Sequence, residues 1–116
     1  MPRSIWKLHL DSSSEEAAKK VLNRCIKAIE RPPMDLEIEK YPKGGFMATF
    51  ELFHRENISW SELVLEVIEF SQKLGGGWSL LGNIKSELNG VLSKSVGNHV
   101  DISGLYWAEY QVLNEK

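Results

Sequence analysis

The sequence predicts an α+β fold, a two-layer ferredoxin-like (split β-α-β) sandwich in which two helices cover one face of an antiparallel sheet with one extra C-terminal strand. Three observations predict it: two amphipathic segments with explicit caps, a turn-linked pair of alternating segments between them, and further alternating segments at both ends of the chain. The order is then strand, helix, hairpin, helix, strand, strand. At 116 residues the chain makes one domain over 1–116, long enough to bury roughly two thirds of the surface its unfolded form exposes.

Ser4 to Leu10 alternates, with Trp6, Leu8 and Leu10 on one side and Ile5, Lys7 and His9 on the other. Ser13 and Glu16 have the spacing of a capping box, which starts a helix. Its apolar stripe is Ala18, Val21, Leu22, Cys25 and Ile29, and Lys19, Lys20, Asn23, Arg24 and Lys27 fill the opposite face. Pro32 and Pro33 end it, since neither has an N–H to continue the ladder. Leu36 and Ile38 then alternate with Glu37 and Glu39, and Pro42 to Gly45 turns the chain into Phe46, Ala48, Phe50 and Leu52. Ser59 and Glu62 repeat the capping box, with Ile58 placed to staple onto Leu63. The second stripe is Trp60, Leu63, Val64, Val67, Ile68 and Leu74, and Gly75, Gly76 and Gly77 stop the helix. Alternation from Trp78 to Leu88, through Leu80 and Ile84, predicts a fourth strand, and Leu105 to Val112 predicts a fifth.

Composition excludes several classes. With 42% hydrophobic and 26% charged residues, the chain is too apolar for intrinsic disorder. A net charge of −2 gives no long-range positive field for DNA or anionic membrane. One cysteine, Cys25, cannot close an internal disulfide, and its place in an apolar stripe makes it a small core residue. No stretch approaches the roughly 20 apolar residues of a membrane span, and Met1 to Leu10 does not read as a secretion signal. The expectation is a cytoplasmic protein with no membrane contact.

Catalytic chemistry has a narrow basis. With strands running up, up, down, down and up, the end of the third strand meets the connection from Asn89 to Gly104, bringing together His54, Glu56, His99 and Asp101. These four are the candidate acid–base residues. A metal needs three or four converging ligands, so neither metal nor cofactor is expected. Gly75 to Gly77 precedes a strand and not the helix N-terminus that a phosphate loop requires, and no nucleophile motif is present. The connection from Ser93 to Gly104 is long enough to be functional.

Lys43 to Phe50 resembles the third-strand signature of RNA-recognition motifs, which share this element order. That resemblance implies aromatic side chains at its third and fifth positions to stack on bases. Here those positions are Gly45 and Met47, and Trp6 in the first strand falls on the core side, so single-stranded RNA binding is the least supported reading.

The first helix is net basic and the second net acidic, which permits a bipolar docking surface. The uncovered sheet face is the stronger feature. Trp107, Met47, Phe53, Leu81 and Leu105 are apolar anchors on it, with Lys85 among the polar rim. The sequence therefore points to a non-catalytic protein-binding module that self-associates or occludes a protein partner, as a toxin-neutralising immunity-type protein would. The alternative is a small-molecule binder or small enzyme that uses the His54, Glu56, His99 and Asp101 cluster.

Overall fold

A computed structural model describes residues 2–83, 85–93 and 99–113, with the side chains of His99 and Leu113 outside the description. The elements are β1 (Arg3–Leu10), α1 (Glu15–Ile29), β2 (Met34–Lys40), β3 (Phe46–Phe53), α2 (Trp60–Gln72), β4 (Gly75–Gly76), β5 (Ser79–Leu81), β6 (Leu88–Ser93), β7 (His99–Val100) and β8 (Leu105–Leu113). Six strands form one sheet in the order β2-β3-β1-β8-β6-β5, and every neighbouring pair is antiparallel. β4 and β7 make a separate two-stranded ladder.

Alternation in β1 decides the layers. Ser4, Trp6, Leu8 and Leu10 are buried, and in register with them lie Leu52, Phe50 and Ala48 of β3 and Val112, Tyr110 and Ala108 of β8. The stripes of α1 and α2 close on this face to make one continuous core, which leaves the opposite face of the sheet uncovered. Trp6 sits at its centre, packed between the rings of Phe50 and Tyr110 and against the edge of Trp78. Cys25 is buried in the α1 stripe, and burial pushes its thiol up to about 12, so it stays protonated.

Both helices start at serine caps. Ser14 accepts from the Ala17 N–H, one residue later than the expected Ser13 box. Ser59 accepts from the Glu62 N–H and donates its hydroxyl proton to the Glu62 carboxylate. α1 ends with Glu30 in the left-handed region, ahead of the two prolines. α2 ends at Gln72, earlier than the glycine stop implied. Lys73 and Leu74 tighten onto the Phe70 and Ser71 carbonyls, and Gly75 and Gly76 become strand β4.

The strand order differs from the expected one. The alternating run from Trp78 breaks after Leu81, because Gly82 adopts φ +92 and the Asn83 side chain accepts from the Lys85 N–H, folding the chain back as β6. Ile84 lies outside the described residues, and Lys85 is an exposed turn residue, not part of a strand face. β8 runs antiparallel to β1 beside it, where the expected fifth strand ran in the same direction as the first. The expected long connection shrinks as well, since β6 reaches Ser93 and β7 begins at His99. Residues 94–98 lie outside the described residues.

Candidate functional site

His54 is buried, 2% exposed, directly after β3, where its N–H donates to the Pro2 carbonyl at 2.9 Å. Its ring closes a chain of hydrogen bonds whose proton directions can be assigned by elimination. The Trp6 Nε1–H can only donate, and it does so to Ser4 Oγ at 2.8 Å. Ser4 then donates its one proton to His54 Nε2 at 2.9 Å, and His54 Nδ1–H donates to Glu66 Oε1 at 2.8 Å. Arg31 binds the same carboxylate at 3.0 Å and the Phe53 carbonyl at 2.9 Å. Phe70 lies beneath both groups, 6.2 Å from the imidazole and 5.2 Å from the guanidinium. Burial holds the His54 pKa below its ordinary value, opposed by Glu66 and reinforced by the Arg31 charge. All donors and acceptors of this neutral tautomer are used, so the group joins β1, the end of β3, the middle of α2 and the segment just after α1, and has no free base to offer a substrate.

The other three acid–base candidates are not gathered around it. Glu56 is exposed in the turn before α2, and the His99 backbone pairs with Gly76. Asp101 is exposed, its N–H donates to the Leu74 carbonyl, and its segment closes at Gly104, which accepts from the Asp11 N–H. That closure marks the Leu10 end of β1, whereas His54 marks the Arg3 end, about 23 Å away along eight strand residues. Among the described residues no group of three His, Cys, Asp or Glu side chains could hold a metal ion.

On the uncovered face the strand registers set side chains in rows. Lys7 lies between Thr49 and Glu109 and pairs with Glu109 at 3.7 Å. Arg3 reaches diagonally to pair with Glu51. These rows carry two ion pairs, with Ile5 and Phe53 set singly among them. The upper row is different, because Met47, His9 and Trp107 stand side by side. A bulge between His9 and Leu10 inserts Tyr106 opposite them, since Leu10 pairs with Leu105 and His9 with Trp107. The His9 ring meets Tyr41 edge-on at 4.8 Å and Tyr106 at 5.3 Å. Its Nε2 donates to the Gly44 carbonyl at 2.9 Å, which ties the β2–β3 turn to β1. Gly45 makes this approach feasible: its φ is +75, and a Cβ there would fall 2.4 Å from the Leu10 carbonyl oxygen. The result is a cleft of about 510 Å³ walled by His9, Tyr41, Met47, Tyr106 and Trp107, with Asp11 and Lys43 at its rim.

Of the six expected partner-binding residues, Trp107 and Met47 are half-buried walls of this cleft. Phe53 is half-buried at the far end of β3, and Leu81 is 54% exposed on β5 at the sheet edge. Leu105 is fully buried, because the bulge turns it into the core in register with Leu10. Lys85 stands apart in the turn before β6. His9, Tyr41 and Tyr106 were not among the expected site residues. Plain alternation through Leu105-Tyr106-Trp107 puts Tyr106 on the core side, and the residues carry no sign of the bulge that brings it beside His9. Among the described residues no helix is long and apolar enough to cross a membrane. No protein-family model, curated protein or solved structure matches the chain.

Proposed function

We propose that the chain is a non-catalytic protein-binding module that holds an apolar or aromatic side chain of a protein partner in the cleft between Tyr41 and Trp107. The observation that carries this reading is the contrast on one sheet face: matched ion pairs over its lower rows and a concave aromatic cluster at its top. A central aromatic pocket with a polar surround is the usual anatomy of an interface hot spot. The neutral, fully bonded state of His54 argues against the catalytic alternative. A small-molecule ligand is the second reading, favoured by the cleft volume, which falls within the range of ligand pockets.

Support for a wider frame comes from the inner strands. β2-β3-β1-β8 follows the split β-α-β order if β8 is counted as its fourth strand, and we read β4 to β7 as an insertion after α2. The single, buried Cys25 fits a reducing compartment such as the cytoplasm.

The test compares wild type with Trp107→Ala and Tyr106→Ala in affinity capture followed by sedimentation velocity, alongside a metabolite thermal-shift screen. A protein partner or self-association lost in both variants supports the first reading. Ligand shifts lost in both variants, with no protein captured, support the second. Recovery unchanged by both substitutions refutes the cleft as the site.

A further inference from the structure

We infer that the free edge of β2 accepts an extended, basic segment of a partner protein as an added strand, one that alternates Lys or Arg with aliphatic residues. This goes beyond the cleft and does not depend on it. β2 is the outermost strand of the sheet on its side. The Tyr41 N–H donates to the Gly45 carbonyl, so Tyr41 faces β3, and in an antiparallel ladder Glu39 and Glu37 do the same. The backbone N–H and C=O groups of Ile38 and Lys40 therefore point away from the sheet, available to another strand. A bulge at Asp35, with φ 51, interrupts pairing toward Met34, so the usable edge is Glu37–Lys40.

Side chains along this edge state the chemistry of the occupant. Glu37 and Glu39 are exposed in register with Thr49 and Met47 on the uncovered face. Leu36 and Ile38 stand on the helix side, and Leu36 is 44% exposed. A strand laid along β2 thus meets the carboxylates of Glu37 and Glu39 on one face and Leu36, Ile38 and Lys40 on the other. A second copy of the chain does not fit. Three twofold registers pair the outward groups of Ile38 and Lys40. They set Glu37 against Glu39 twice, Glu39 against Glu39, or Lys40 against Lys40, and like charges directly opposite one another are destabilising. A strand with alternating basic residues turns each carboxylate contact favourable while its aliphatic residues cover Leu36 and Ile38.

The experiment is fluorescence anisotropy of the whole chain with a fluorescein-labelled heptapeptide alternating lysine and valine. Saturable binding that weakens with salt is expected, and Glu37→Lys with Glu39→Lys should weaken it about tenfold or more. That double variant should in turn bind the matching glutamate–valine peptide, which wild type rejects. N-methylation of the peptide amides that face β2 should abolish binding, whereas Trp107→Ala should leave it unchanged, which separates this edge from the cleft. No anisotropy change with the basic peptide, equal binding by the N-methylated peptide, or indifference to the charge reversal would overturn the inference. So would a wild-type dimer in sedimentation that Glu37→Lys with Glu39→Lys dissociates.

Discussion

Replacing Ser4 with alanine removes a single oxygen, yet that oxygen serves two buried groups. Trp6 Nε1–H donates to it and His54 Nε2 accepts from it, both within 2.9 Å, and both rings belong to the interior. Ser4 itself is fully buried, so no solvent stands ready to replace the hydroxyl. A buried donor or acceptor left without a partner costs about 1–3 kcal/mol, so two of them cost about 2–6 kcal/mol. Against a typical domain stability of about 5–15 kcal/mol this is a large fraction. Urea unfolding at neutral pH is the assay: the midpoint should fall by roughly 1–3 M with an unchanged slope. The variant should also alter the acid response. In wild type, protonating His54 makes Nε2 a donor and strips the Ser4 hydroxyl of its acceptor, and without Ser4 that conflict disappears. A Ser4→Ala loss under about 1 kcal/mol would refute the proton chain, because one of the two rings must then find its partner elsewhere.

The remaining predictions concern pH, packing and caps. The folded-state pKa of His54 is depressed, chiefly by burial, so on acidification the unfolded chain takes up its proton first. Stability is therefore complete above about pH 6.5 and declines as pH falls from there to the lower folded value, by at most about 1.4 kcal/mol per pH unit; chemical denaturation from pH 8 to 5 should show a flatter profile for His54→Gln. Gly90→Ala would place a Cβ 2.4 Å from the Tyr110 ring, and such overpacking of a buried strand should cost about 1–3 kcal/mol in urea unfolding. Gly45→Ala meets both a left-handed backbone and the Leu10 carbonyl, so it should lower the thermal midpoint and, by lifting the turn off His9, weaken whatever occupies the cleft. Ser59→Ala removes the acceptor of the Glu62 N–H and should cost about 1 kcal/mol, read from the same unfolding curves.

Local features were legible in the residues and non-local ones were not. Both helices and the β2–β3 hairpin follow from caps, stripes and a glycine turn, all signals carried within a few positions of one another. The order of strands depends on which segments lie side by side, and alternation is silent about neighbours. That is why β8 beside β1 was not anticipated. The Trp78–Leu88 run failed for a local reason that could be seen afterwards: Gly82 and Asn83 together make a turn strong enough to override alternation. Leu105 was placed on the wrong face because one inserted residue, Tyr106, reverses the parity of everything before it. His54 was noticed for its chemistry, but only its partners Ser4 and Glu66 show that the imidazole is a tie between elements.

The register of β1 with β8 joins Arg3 to Leu113 and Leu10 to Leu105, so the two middle strands of the sheet lie far apart in sequence. Contacts of such long sequence separation slow folding, because a large loop must close before they give any return. On a ribosome, segments from β1 to β6 emerge with the middle of the sheet still missing, and Trp6 lacks Tyr110 on one side until the last strand arrives. A nascent chain halted before residue 105 would therefore present β1 as a bare, apolar margin to chaperones and proteases.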